Sequence, residues 1–178
     1  MTDAIYLTKE EIEKLHRAKL TGTLAEIRDR FVIGCVTGLR FSDYSRFGPG
    51  HVKDGIITIL TQKRNRKIAA PAHRFVLGIL KRNKYDLPEP KSRRYFNMVL
   101  PTIGLKAGIR DKVQIERIVV EGKEIIQAAD YISGIEPETR RVVKTEVVPK
   151  YELITTHTAR RSFATNAYLA GIPAAKIM

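Results

Sequence analysis

Thr37-Gly-Leu-Arg40-Phe-Ser-Asp43 sets an arginine directly after a helix stop, with an acid three residues further on in a new turn of helix. Upstream of it, Leu24, Ile27, Phe31 and Cys35 recur at helical spacing and predict a helix with one apolar stripe turned to a core. Gly38 ends that helix, because glycine takes the left-handed cap conformation without strain. At this spacing the Asp43 carboxylate can reach back and orient the Arg40 guanidinium. The same spacing also suits an ordinary salt-bridged corner on the surface.

Further toward the N-terminus, Thr8-Lys-Glu-Glu11 has the form of a capping box, which predicts a helix over about residues 8–20 with Ile12 and Leu15 inward. Downstream, a short turn of helix near Ser42–Phe47 is broken by Gly48-Pro-Gly50. Ile56-Ile-Thr-Ile-Leu60 then reads as a strand. The run Lys63-Arg-Asn-Arg-Lys67 leads into Ile68-Ala-Ala-Pro, which predicts a β-hairpin with a cationic tip. Helices are expected at about 72–84 and 92–107, the second kinked or shortened by Pro101. Residues 112–150 alternate β-branched runs with an acidic stretch around Glu136-Pro-Glu138, and predict a second β-rich excursion with a loop inside it. A last helix over about 157–169 closes at Gly171, with a new start at Pro173. The expected class is α+β: a single, mostly helical domain with a small β-hairpin and a second β-rich excursion.

Composition narrows the function. The 178 residues carry 32 Lys+Arg against 19 Asp+Glu, a net charge of 32 − 19 = +13, with 43% apolar residues. That apolar content builds a core and excludes a disordered basic tail. The charge excess therefore lies on the surface of a folded body, and points to a polyanion such as nucleic acid. Cys35 is the single cysteine, so no intramolecular disulfide, thiolate cluster or CxxC pair can form. Neither a signal peptide nor a membrane-spanning run is evident, and a soluble, cytoplasmic protein is expected.

Two further sites draw attention. His157-Thr-Ala-Arg160-Arg161 opens the last helix, and on a helical wheel Ala159, Phe163, Ala167 and Ala170 form the inward arc with Arg160 at its edge. A half-buried arginine near a helix N-terminus, beside a histidine, adds positive charge to an end that is already positive. An anion at that place resolves the conflict, and so does a carboxylate from elsewhere in the fold. At the hairpin, Lys63 is followed by Arg64, Arg66 and Lys67. These suit DNA phosphate contacts, and Arg161 is counted with them as a DNA-contacting cation. A charged hairpin tip is equally the usual form of a solvated turn.

Taken in order, Thr-Gly-Leu-Arg-x-Ser-Asp, a lysine on a β-hairpin, and His-x-x-Arg followed by Ser-Phe-Ala-Thr resemble the catalytic domain of a tyrosine recombinase, the phage-integrase family. Thr155-Thr-His-Thr-Ala-Arg-Arg-Ser-Phe-Ala-Thr165 is especially similar to integrases of Bacteroidetes mobile elements. The resemblance runs from Leu7 onward. It implies strand cleavage of double-stranded DNA by a tyrosine hydroxyl, a 3′-phosphotyrosyl intermediate and rejoining to another strand, with no metal, ATP or other cofactor. By motif match Arg40 and Arg160 would clamp the non-bridging phosphate oxygens where charge develops. Lys63 would protonate the leaving 5′-oxygen, with Arg64 or Lys67 replacing it if the register slips. His157 would hydrogen-bond the phosphate and assist proton transfer. Asp43 would support Arg40 and the core.

The sequence also departs from the family pattern. The family's next histidine or tryptophan, its nucleophilic tyrosine and its N-terminal core-binding domain find no match. Tyr168 stands too close to Arg160, and Tyr6, Tyr44, Tyr85, Tyr95, Tyr131 and Tyr151 have no motif support. The chain is thus expected to be a truncated catalytic domain that cannot cut, from a protein that oligomerises on DNA when complete. Two rivals stand beside this reading: a non-catalytic DNA-binding protein with a recombinase-like fold, and a type IB topoisomerase of the same chemistry.

Overall fold

The computed structural model describes residues 5–63, 65–121 and 140–177, and of 117–121 and 140–142 it describes the backbone. The chain forms two compact units. Among the described residues, the larger is made of 5–111 and 149–177, the smaller of 112–121 and 140–148.

The larger unit begins with α1 (Lys9–Arg17), whose start is the expected capping box. The Thr8 amide donates to Glu11 Oε2 at 2.7 Å, and the Glu11 amide donates to Thr8 Oγ1 at 3.3 Å. Next comes α2 (Gly22–Thr37), the centre of the core. Its stripe is wider than the sequence pattern suggests. Every residue from Ile27 to Cys35 is buried, including Arg28, Asp29 and Arg30. These charges tolerate burial because each has partners. Arg28 Nε donates to Asp29 Oδ1 at 2.6 Å, and Asp29 Oδ2 accepts from the Asn83 amide at 2.9 Å. Arg30 donates to the carbonyls of Ser45, Phe47 and Pro88. The helix closes at Gly38, where φ is +66°, as expected.

A single turn, α3 (Phe41–Tyr44), follows, and then a 3-10 turn at Pro49–His51. The hairpin is present as β2 (Ile56–Leu60) antiparallel to β3 (Lys67–Pro71), with Ile59 opposite Ile68 and Leu60 opposite Lys67. The sheet gains a short third strand, β1 (Val52–Lys53), on the other side of β2. Asp54 (φ +50°) and Gly55 (φ +73°) make the tight turn between them. Asp-Gly before an apolar run is the signal for that turn, and the sequence contains it.

Helices α4 (Arg74–Arg82) and α5 (Arg93–Lys106) occupy the expected segments. Pro101 neither shortens nor ends α5, which continues for five residues beyond it to Lys106. A 3-10 turn at Lys150–Leu153 precedes α6 (Thr156–Leu169), and a short α7 (Ala174–Ile177) ends the described chain. The buried face of α6 is Thr156, Thr158, Ala159 and Ser162. The expected arc through Ala167 and Ala170 is thus rotated, because small polar side chains bond within the fold. Ser162 Oγ donates to the Thr158 carbonyl at 2.6 Å and accepts the Leu7 amide at 2.8 Å.

The smaller unit is the expected β-rich excursion: β4 (Lys112–Glu121) pairs with β5 (Arg140–Pro149) in a two-stranded sheet. The acidic loop around Glu136-Pro-Glu138 lies outside the described residues. Among the described residues, no helix is long and apolar enough to cross a membrane.

Candidate functional site

The packing of α6 on α2 builds the site. Gly34 of α2 and Gly38 at its C-cap stand one turn apart, opposite Ala159 and Phe163 of α6. A Cβ on Gly34 would lie 2.7 Å from the Tyr44 ring and 3.1 Å from Ala159 Cβ, and one on Gly38 would lie 2.3 Å from the Phe163 ring. The two glycines therefore let α6 approach closely. At that distance Arg160 reaches across, and its Nη1 donates to the Gly38 carbonyl at 2.6 Å. The glycine of the Thr-Gly-Leu-Arg stretch thus does more than stop a helix. It turns the chain, accepts the second arginine and leaves Arg40 two residues away at the N-cap of α3.

Arg40, Asp43, Thr61, Arg66 and Arg160 line one cleft of about 490 Å³, with Thr37, Gly38 and Lys176 beside them. Arg40 and Arg160 are each half-buried. Asp43 is 1% exposed, yet its hydrogen bonds do not go to Arg40 as the spacing suggested. Its Oδ1 accepts the Gln62 amide at 2.9 Å and meets Arg46 Nη2 at 3.3 Å, while Arg46 also donates to the Leu60 carbonyl. Asp43 consequently ties the end of β2 to α3, one residue before Lys63.

The hairpin tip is closed by Thr61, whose amide and hydroxyl both donate to the Arg66 carbonyl, at 2.9 and 3.1 Å. Lys63 is exposed in the turn and does not line the cleft, whereas Arg66 does. Lys67 is exposed at the start of β3, and Arg64 lies outside the described residues. Arg161 is exposed on α6, away from the cleft lining.

His157 is likewise exposed and does not line the cleft. Arg93, at the start of α5, donates to its Nε2. Partial burial, and then the positive charges of Arg93 and Arg161, hold the imidazole below its usual titration range. Around it, Asn97 Oδ1 accepts the Thr156 amide at 2.9 Å and Tyr44 Oη donates to the Thr156 carbonyl at 3.3 Å. Sequence reading missed Lys176, Arg93 and Asn97. Only Lys176, near the apolar start of a helix, carries a local signal of position.

None of the tyrosines among the described residues lines the cleft. Tyr44 is fully buried, and burial pushes its phenol far above the ordinary range, which removes it as a nucleophile. Tyr168, on α6, is 64% exposed and is a surface residue.

No protein-family model matches the sequence, and no curated protein matches it. The fold does match solved structures. The lambda integrase catalytic core is 17% identical with a TM-score of 0.56, over 97% of this chain and 87% of that one. XerA recombinase is 16% identical with a TM-score of 0.57, over 97% and 54%. A lambda integrase fragment (75–356), a dimer bound to a COC′ core site, is 19% identical with a TM-score of 0.54, over 97% and 55%. The chain therefore spans most of the first protein and about half of the other two. At such low identity the likeness is one of fold.

Proposed function

With the tyrosine-recombinase catalytic-domain fold in hand, we propose that this chain is the catalytic domain of a site-specific DNA recombinase or integrase of a mobile element. One observation carries the proposal: Arg40 and Arg160, from opposite ends of the chain, line the same cleft and are linked through Gly38. Two half-buried guanidiniums of fixed charge suit a phosphodiester whose non-bridging oxygens gain negative charge as a tyrosine oxygen attacks phosphorus and the 5′-oxygen leaves. Lys63, carried next to the Gln62 amide that Asp43 holds, is proposed to protonate the leaving oxygen when DNA engages the hairpin. His157 is proposed to hydrogen-bond the phosphate at the start of α6. Arg66, Lys67, Arg64 and Arg161 are proposed to contact the DNA backbone. The dimer of the matched lambda integrase fragment on its core site supports duplex DNA as the partner and a complete protein that assembles on it.

The first test compares two cleft arginines by titrating sulfate or vanadate. Arg160→Ala is expected to weaken binding about tenfold or more, the loss of a charge-assisted hydrogen bond, and Arg66→Ala far less. Equal losses would make Arg160 a general cation and sink the clamp.

Because no tyrosine among the described residues lines the cleft, these 178 residues alone are expected to bind duplex DNA without a covalent adduct. An adduct on a nicked substrate would promote a tyrosine of this chain. That same observation favours a second reading, a DNA-binding protein that keeps the fold without the reaction. Reading the gene past the codon for Met178 separates the two. A frame that continues to a helical tyrosine supports the recombinase, and a stop codon there supports the binder.

A further inference from the structure

The start of α6 rests on α5 through two side chains one turn apart. Arg93 and Asn97 lie four residues apart, on the same face of α5. Asn97 accepts the first amide of α6, from Thr156, and Arg93 reaches the next residue, His157. The helix that presents Arg93 is itself fixed, since Ser92 Oγ caps it by accepting the Tyr95 amide at 3.2 Å and Phe96 is fully buried beneath. Arg93 is therefore part of a two-point clasp on the motif helix.

The chemistry of the contact is one-sided. A guanidinium has only N–H donors and does not lose its proton in a protein. An imidazole nitrogen that accepts from it must carry a lone pair. From this geometry we infer that Arg93 is a positioning residue for His157: it fixes the ring as the neutral tautomer protonated on Nδ1, and leaves Nδ1–H as the one donor available to a phosphate. The charged groups facing the ring are Arg93 from α5 and Arg161 from its own helix. Both disfavour a second proton, so the His157 ring is held as a neutral donor. The inference rests on the reading of His157 as a phosphate-site residue only for its purpose, since the contact itself stands apart from any reaction.

Long-range proton–nitrogen spectra of the 15N-labelled 178-residue chain test it, with the His157 ring assigned by His157→Gln. The wild type is expected to show a protonated Nδ1 and a bare Nε2. In Arg93→Ala the ring is expected to return to the Nε2–H form that free imidazole prefers, and to titrate at higher pH. Arg93→Lys, which keeps a donor cation without the planar fork, is expected to fall between them, and Arg94→Ala to match the wild type. An Nε2–H ring in the wild type, or an unchanged tautomer and midpoint in Arg93→Ala, overturns the inference. Sulfate titration keeps the two claims apart. Wild-type tautomer as expected with no anion binding leaves the Arg93 clasp standing and removes the recombinase reading, and the reverse result does the opposite.

Discussion

Gly38 is the residue on which the site turns, because three demands meet there. It holds φ at +66°, it lies against the Phe163 ring, and its carbonyl receives Arg160. Gly38→Ala adds left-handed backbone strain and a Cβ in contact with a ring, together costing about 3 kcal/mol. Urea unfolding measures that cost, and sulfate affinity should fall with it as Arg160 loses its anchor. A variant as stable as the wild type would mean that α6 can shift away from α2. His73 offers a second test at this scale. Its Nδ1 accepts the Phe75 amide at 3.1 Å at the start of α4, and burial and then Arg74 lower its pKa. His16, stacked on Phe75 at 4.3 Å, is also lowered, mainly by burial. For both, the folded pKa lies below the unfolded value of about 6.5. Their contribution is complete above that value and declines as pH falls through it toward the folded pKa, because the unfolded chain takes protons first. The urea midpoint should therefore drop as pH falls from about 7 through about 6.5 and below. His73→Asn, which keeps a capping acceptor but does not titrate, should make the drop shallower. Parallel curves would exclude His73 as a source. At this scale Arg40 and Arg160 were legible, since an ordered motif names them. Arg93 was not, because a cation after a capping serine looks like any solvated helix start.

Among the elements, α1 and the turn before α6 are joined by a buried ion pair. Lys150 Nζ lies 2.6 Å from Glu11 Oε2, the same oxygen that caps Thr8, and both residues are under 10% exposed. Removing one partner leaves a buried charge alone, so Lys150→Met should cost about 3 kcal/mol. Glu11→Gln added to Lys150→Met should recover more than half of that in the same unfolding experiment, since a neutral amide keeps the cap. No recovery would show that the lysine contributes by packing rather than by charge. The elements that the sequence made legible were those with punctuation: the Thr8 capping box, the Gly38 stop, and the hairpin whose strands flank a charged turn. What it hid were faces defined by other elements. In α2, Arg28, Asp29 and Arg30 look like a solvent side until Asn83, Ser45, Phe47 and Pro88 arrive from elsewhere to bond them. In α6, serine and threonine fill the buried face, so an apolar arc predicted the wrong rotation. The short strand β1 is hidden for another reason: with two residues it has too little pattern to read.

For the whole molecule the governing quantity is a net charge of +13 on a folded body. DNA affinity should fall linearly with salt on logarithmic axes, by about 0.9 for each phosphate neutralised. Lys67→Ala, at the foot of the hairpin, should reduce that slope by about one. An unchanged slope would place Lys67 off the DNA. Charge pointed to a polyanion before any motif did, but it was silent on geometry, because the cleft is assembled from segments far apart in the chain. The hydrogen bond from Arg160 to Gly38 spans 122 residues. A nascent chain leaving the ribosome exposes Arg40 while Arg160 is still unmade, and any fragment cut between them holds one of the two cleft arginines. The cleft that Arg40 and Arg160 share is therefore withheld from unfinished and broken copies by the order of the chain itself.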